Sequence, residues 1–119
     1  MGQTRMAFGN GRIVRAVGKS AADTAKTVAT TPTGRPFELV AVLVVFSAAV
    51  SKTAAVSLDA GAGADYDCAL NTITLTTAAS GAFLPSAPLV FSGDDAITVT
   101  AQAGGGTNTS TIQIITREF

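Results

Sequence analysis

Three aspartates and a tyrosine lie close together at the end of one predicted strand and in the loop behind it: Asp59, Asp65, Tyr66 and Asp67. Carboxylate and other oxygen atoms presented by a loop are the ligands that Ca²⁺ prefers. The spacing matches no calcium-loop signature. We therefore interpret these residues as solvated loop residues and predict no metal site, with calcium binding as the alternative.

A second acidic pair, Asp94 and Asp95, follows Ser92-Gly93. Two carboxyl groups can work as a general acid and base, but adjacent residues on a turn rarely aim at one point. Gly tolerates positive φ, and Asp side chains accept hydrogen bonds from turn amides. The pattern predicts a tight turn.

Cys68 is the single cysteine, and the chain contains no histidine. An internal disulfide is thus excluded, and the commonest activating base for a thiol nucleophile is missing. Because Cys68 precedes Ala69 and Leu70, we expect a buried, inert thiol. The triple glycine at 104–106 is followed by neither Lys nor the start of a helix, as a phosphate loop would require. The sequence predicts no catalytic residues, no cofactor and no enzyme.

Composition indicates one domain with an unusual surface. The chain has 119 residues, a length typical of a single domain, and only 13% are charged, against about 25% in an average soluble domain. Abundant threonine could keep such a surface soluble. We favour the other interpretation, that much of the surface contacts protein.

The few charges are unevenly distributed. The first 36 residues contain one acidic residue, Asp23, and six basic ones: Arg5, Arg12, Arg15, Lys19, Lys26 and Arg35. Most acidic residues lie further on. We predict an extended basic arm and linker over residues 1–36, ending in a joint at Pro32–Pro36, and a body over residues 37–119. Because the basic residues are scattered, an acidic protein surface is a better partner for the arm than nucleic acid.

The body begins with eight consecutive apolar residues, Leu39–Phe46, rich in valine. β-Branched side chains favour an extended backbone. Unlike the later strands, this one would be apolar on both faces, so we expect a central strand with one face in the protein core. The other face needs a cover, either the protein's own arm or a second subunit, and we favour the subunit.

The remaining body alternates apolar and polar residues in short segments separated by Gly- and Pro-rich turns. Alternation with period two is the pattern of half-buried strands. We expect six to eight strands in the body, with Ile73, Ile97, Val99, Ile112 and Ile114 among the inward residues and Ile115 outward. Ahead of the body, Arg12–Val17 could form a short strand, and Ser20–Lys26 is either a capped helix or a turn leading to an edge strand at 27–31. The fold class predicted is all-β, a single β-sandwich or jelly-roll-like domain preceded by the arm.

The body resembles small virion structural proteins of tailed bacteriophages. The similarity rests on the loop Leu58-Asp59-Ala60-Gly61-Ala62-Gly63-Ala64-Asp65-Tyr66-Asp67 and on the strand that begins Gly93-Asp94-Asp95-Ala96-Ile97-Thr98-Val99. It covers about residues 37–119.

This resemblance implies a capsid decoration, or cement, protein that binds across major capsid proteins as a homotrimer in the virion, after synthesis in the host cytoplasm. We assign capsid binding to Arg5, Phe8, Arg12 and Arg15. We assign self-association to one face of the long strand, namely Val40, Val42, Val44 and Phe46.

Two alternatives remain. The protein could instead sit at the phage neck, baseplate or fibre-attachment site, or it could be a ligand-binding β-sandwich, although it has one tyrosine and no tryptophan with which to stack a sugar. No apolar stretch near Met1 suggests a signal peptide, and Leu39–Val50 is shorter than the roughly 20 residues that span a bilayer. We therefore expect no membrane, nucleic-acid or small-molecule partner.

Overall fold

Residues 11–119 are described by a computed structural model. They form nine strands and one short 3₁₀ helix, Ala64–Tyr66. The strands, in chain order, are β1 (Arg12–Lys19), β2 (Lys26–Ala29), β3 (Phe37–Val50), β4 (Thr53–Asp59), β5 (Cys68–Thr74), β6 (Ala78–Phe83), β7 (Val90–Phe91), β8 (Ala96–Ala101) and β9 (Ser110–Glu118).

The strands make two antiparallel sheets. One has five strands in the order β1-β9-β3-β6, with the short β7 pairing beside β6 at the start of β3; the other has four in the order β2-β8-β4-β5. The prediction of an all-β sandwich is confirmed, and the seven strands between residues 37 and 119 fall within the expected six to eight.

The core lies between the two sheets and is built from β-branched side chains. Val42, Val44, Ile112 and Ile114 of the five-stranded sheet are 0% exposed, as are residues Val56, Ile97 and Val99 of the other. Ile73, at 5% exposure, completes the inward set predicted from the alternation. At the start of β3, Phe37 packs against Phe91 of β7, and their ring centroids are 5.4 Å apart. Because branched side chains fill the space without polar atoms, the core needs no large aromatic centre.

The predicted boundary at residue 36 is wrong for the described part of the arm. β1 pairs with β9 at eight consecutive positions, from Arg12 opposite Glu118 to Lys19 opposite Thr111, and β2 pairs with β8. The sandwich therefore begins at Arg12. The short strand expected at Arg12–Val17 is therefore present as β1, but it belongs to the sandwich. The sequence did not reveal its place in the core because two of its inward positions are the small residues Ala16 and Gly18, and Gly18 packs so closely on Val28 that a Cβ would lie 2.6 Å from Val28 Cγ2.

The segment between β1 and β2 is a turn. Ser20 donates its backbone N–H to the Ser110 carbonyl at 2.8 Å, and its hydroxyl accepts a hydrogen bond from Ser110 N–H at the same distance. Asp23 has a φ of 48°, which ends any helical path. The turn and edge-strand alternative for this segment is confirmed, and the helix is not formed.

A β-bulge in β3 decides which apolar side chains face the core. Leu39 lies opposite Thr116 and Ala41 lies opposite Ile115, so Val40 is an extra residue. Such an insertion reverses the alternation of faces. Leu39 points inward before the bulge, and Val42, Val44 and Phe46 point inward after it, with exposures of 0 to 2%.

The self-association face predicted at Val40, Val42, Val44 and Phe46 is therefore wrong. The last three residues are core residues of the monomer, and Val40 is the half-buried residue of the bulge. The expectation that β3 is apolar on both faces does hold, because Leu43 and Val45 occupy the other face.

Adjacent isoleucines of β9 test this register. We expect Ile114→Ala to lower the free energy of unfolding by about 2–5 kcal/mol, because it opens a cavity in the core. The matched change Ile115→Ala, on the half-buried outer face, should cost about 1 kcal/mol or less. Urea titrations of the two variants measure both values, and equal losses would contradict the assignment of faces.

Candidate assembly surfaces

The outer face of the five-stranded sheet carries several exposed apolar side chains. Cross-strand register places on it a set that we name the outer apolar face: Ile13, Val17, Leu43, Val45, Val90 and Ile115. Val17 is 58% exposed, and Ile13 and Val45 are each 49% exposed. Scattered apolar residues are ordinary on a monomer, but a group on one flat sheet is typical of a protein contact surface.

Polar side chains lie among the apolar ones on this face. Arg15 donates to the side-chain oxygen of Gln113 at 2.8 Å, which holds two neighbouring side chains of β1 and β9 together. Arg117 lies opposite both Ile13 and Glu38 in the register. The face therefore combines apolar residues with charged ones, Arg15 on β1, Arg117 on β9 and Glu38 on β3.

The outer face of the four-stranded sheet has a different chemistry. Small polar residues alternate with the core residues, and the hydroxyls of Thr27 and Thr100 lie 3.0 Å apart across the β2–β8 pair. The other outward residues include Ala55, Ser57, Thr72 and Thr98. Hydroxyl groups hydrogen-bond to water at little cost, so this sheet carries the threonine-rich solvated surface that composition suggested.

A cleft opens beside β1, where the edges of the two sheets separate. Its volume is about 220 Å³, and one wall is β1 and the other is the segment Thr30–Thr33. Its interior surface includes Val14, Ala16 and Phe37. An apolar interior bordered by polar residues is the usual character of a binding pocket.

Glu118 forms the polar group at the mouth of this cleft. Arg12 donates to Glu118 Oε1 at 3.0 Å and Thr33 donates to Glu118 Oε2 at 2.7 Å. The Thr33 hydrogen bond is the main reason why the pKa of Glu118 lies below its usual value. The Arg12 hydrogen bond and the charges of Arg12 and Arg35 lower it further, while partial loss of water opposes them.

Two of the four predicted capsid-binding residues lie within the part of the chain that the structure describes. Arg12 and Arg15 both border the cleft, and the side chain of Arg12 is 75% exposed although it pairs with Glu118. Arg5 and Phe8 lie outside the described residues, so their assignment stays a prediction.

Aspartates of the two acidic loops accept hydrogen bonds from the backbone of the turns. Asp95 accepts hydrogen bonds from Gly61 N–H at 2.9 Å and from Ser92 N–H at 3.0 Å, and Asp67 accepts one from Ala60 N–H at 2.8 Å. The turn predicted at Asp94-Asp95 is confirmed by the hydrogen bond from Asp95 N–H to the Ser92 carbonyl. Between residues 11 and 119, no three acidic or thiol side chains gather closely enough to hold a metal ion.

The expectation that Cys68 is buried is wrong. It is exposed at the start of β5, opposite Leu58, rather than buried. The apolar neighbours Ala69 and Leu70 suggested burial, but β5 is an edge strand whose first residues stand clear of the core.

Among the residues that the structure covers, no helix is long and apolar enough to cross a membrane. Comparison with known proteins finds no matching family model and no similar curated sequence.

Solved structures share the fold. A family 32 carbohydrate-binding module from C. perfringens NanJ, in complex with galactose, aligns with a TM-score of 0.52 at 9% identity, over 85% of this chain and 93% of that one. A chitosan-binding module from a chitosanase/glucanase of Paenibacillus sp. IK-5 aligns with a TM-score of 0.53 at 9% identity, over 89% and 94%. The SPBc2 prophage-derived protein YomS reaches a TM-score of only 0.43 at 10% identity, over 87% and 95%, which is too low to carry an argument. At these identities the comparisons establish a jelly-roll-like β-sandwich and nothing about ligands.

The pKa of Glu118 makes a prediction about acid stability. A carboxyl group whose pKa is lower in the folded state stabilises the fold above its unfolded pKa, and that contribution disappears as the pH falls through the folded pKa. We expect Glu118→Gln to destabilise the protein near neutral pH and to reduce the loss of stability on acidification. Urea unfolding at about pH 7 and about pH 3 measures this difference. Thr27→Val, which removes a hydrogen bond with Thr100 but no carboxyl group, is the control and should leave the acid-induced loss of stability as in the wild type.

Proposed function

We propose that this protein is a non-enzymatic structural protein of a phage virion, and that it decorates the capsid by binding across major capsid proteins. The observation that carries the proposal is the outer apolar face, a flat surface with Val17, Val45 and Ile13 about half exposed. Such a surface gains free energy only when another surface covers it. The resemblance of residues 37–119 to tailed-phage virion proteins supports the virion as the assembly concerned.

Self-association belongs to this outer face, in place of the buried residues predicted from sequence. Leu43 of β3 and Ile115 of β9 lie at its middle, and Val45 lies further along β3, opposite Thr111. Copies that meet through these residues would bury apolar area without disturbing the core behind them. We propose a homotrimer on the basis of the resemblance to cement proteins, and a closed ring of copies would leave none with an uncovered face.

Capsid binding is proposed for the β1 side of the molecule. Arg12 and Arg15 border the cleft there, and residues 1–10, which include Arg5 and Phe8, directly precede this strand. A basic side suits an acidic surface on the major capsid protein, since opposite charges steer association and fix orientation.

Purified particles test this proposal. We expect a copy number comparable to that of the major capsid protein, measured by quantitative mass spectrometry. Val45→Asp should reduce it sharply, because a charge on the outer face would have to be desolvated on contact. Since Val45 is 49% exposed, the variant should still fold.

Thr100→Asp, on the outer face of the four-stranded sheet, is the matched control and should incorporate normally. Light scattering of the two purified variants should give a smaller assembly for Val45→Asp alone. Absence from particles would refute the virion assignment, and a copy number far below that of the capsid protein would move the protein to the neck or tail. Unchanged assembly of Val45→Asp would contradict the assigned face.

Glycan binding is a second candidate function, favoured by one observation. Tyr66 is 65% exposed and stands between Asp65 and Asp67 on the loop after β4. An exposed ring can stack on a sugar while carboxylates accept its hydroxyl hydrogen bonds. The sandwich fold is shared with a module solved in complex with galactose.

A glycan array distinguishes the two functions. Because one tyrosine offers a small stacking platform, we expect no specific binding by the full chain. Selective binding that Tyr66→Ala abolishes, and that Phe119→Ala preserves, would instead establish the glycan function. Phe119 is a suitable control because it is an exposed aromatic residue that follows β9, a strand of the other sheet from β4 and β5.

A further inference from the structure

The outer strands of the two sheets differ in how well they are protected against pairing. β2 has only four residues and is soon followed by Pro32. β5 contains a bulge, since Asn71 and Ala69 pair with consecutive residues of β4 and leave Leu70 extra, and the register of β6 breaks between Val45 and Val50 of β3. Short edges and bulges prevent the addition of another strand.

β1 has none of these protections. Its eight residues pair with β9 without a shift in register, and β1 is the outermost strand of its sheet among the described residues. A long, regular edge of this kind presents a row of backbone N–H and C=O groups to a further strand. It also exposes Ile13 and Val17 on one side of that row.

The cleft lies on the inner side of the same edge. Val14 and Ala16, which point inward from β1, line it together with Phe37. Its volume of about 220 Å³ is below the range of roughly 300–1,000 Å³ that holds drug-sized ligands. Alternate side chains of a strand added beside β1 would face this space, so the cleft suits an apolar side chain from such a strand.

The charge of β1 selects the partner. Arg12, Arg15 and Lys19 supply three positive charges in eight positions, and the strand contains no acidic residue. Pairing two copies of β1 would bring these cations together, and like charges on adjacent strands destabilise a sheet. An acidic segment would instead meet complementary charge.

We propose that the β1 edge binds an extended acidic segment of a partner protein by β-augmentation, with one apolar side chain of that segment inserted into the cleft. This inference deepens the proposed function and rests on it for the identity of the partner, which there is the major capsid protein. The backbone of β1 provides affinity, Val14, Ala16 and Phe37 receive the anchor, and Arg15 selects acidic sequences.

Peptide binding to the full chain tests the inference. The probe is a capped, fluorescent eight-residue peptide in which threonines alternate with apolar residues, a central leucine serves as anchor and aspartates stand at both ends. Its partner peptide carries lysines in place of the aspartates. By fluorescence anisotropy, we expect the acidic peptide to bind at least about tenfold more tightly.

Two N-methylated forms of the acidic peptide identify backbone pairing. One carries methyl groups on the odd-numbered amides and the other on the even-numbered amides, so each removes the N–H groups of one edge. Pairing through a single edge predicts that one form loses binding and the other retains it, whereas docking through side chains alone would affect both similarly.

Protein variants locate the site. Arg15→Glu should weaken binding of the acidic peptide at least about tenfold, since it reverses the charge beside the cleft. Lys52→Glu, between β3 and β4 at the opposite end of the sandwich, is the matched control and should bind normally.

Failure of both peptides to bind, equal binding of the two, or equal effects of the two methylated forms would overturn the inference. A dimer that Arg15→Glu strengthens would assign the edge to a second copy and overturn it as well. These outcomes are independent of particle copy number. If the protein is absent from virions but binds the acidic peptide selectively, the proposed function is refuted and the edge site stands. If it is incorporated into virions but does not bind the peptide selectively, the edge site is refuted and the proposed function stands.

Discussion

The pairing of β3 with β9 is the interaction on which the rest of the structure depends. Each strand contributes side chains that are completely buried, with Val42 opposite Ile114 and Val44 opposite Ile112. The other strands of the five-stranded sheet attach to the outer sides of this pair: β1 to β9, and β6 and β7 to β3. The bulge at Val40 sets which residues of β3 enter the core, and because one displaced residue reverses a whole face, it also determines which ones reach the outer surface.

The outer apolar face follows from the same pairing. While the inward valines and isoleucines fill the core, Leu43, Val45 and Ile115 lie on the other face, where the described residues leave Val45 exposed and bury the other two only in part. The four-stranded sheet has polar residues at its outward positions instead: Thr27 and Thr100 lie there, and their hydroxyl groups hydrogen-bond to each other. The chain thus limits exposed apolar side chains on one sheet and retains them on the other. That contrast within one small domain argues that the retained ones serve a contact.

Sequence reasoning succeeded where polar and apolar residues alternate without interruption. In β8 and β9 the inward residues, such as Ile97 and Ile112, could be assigned because threonine or glutamine separates them. The bulge could not be predicted, since the continuous apolar run through Val40 carries no alternation to reveal a change of face. β6 gives no sequence signal for a related reason: it consists largely of small residues, and its inward position 81 is glycine because Ile73 and Leu75 occupy the space that a side chain would need.

The candidate surfaces were still harder to predict, because each depends on which strands become neighbours. Arg12 and Glu118 are separated by 106 positions in the chain, and the cleft beside them exists only because β1 joins the sheet at the free side of β9. That placement also connects the two surfaces. Ile13 and Val17 belong both to the outer apolar face and to the β1 edge, so a strand added at this edge would extend the same sheet and set its outward side chains beside them. The proposed partner strand would enlarge the surface that we propose for self-association, so both proposed contacts would use one continuous sheet.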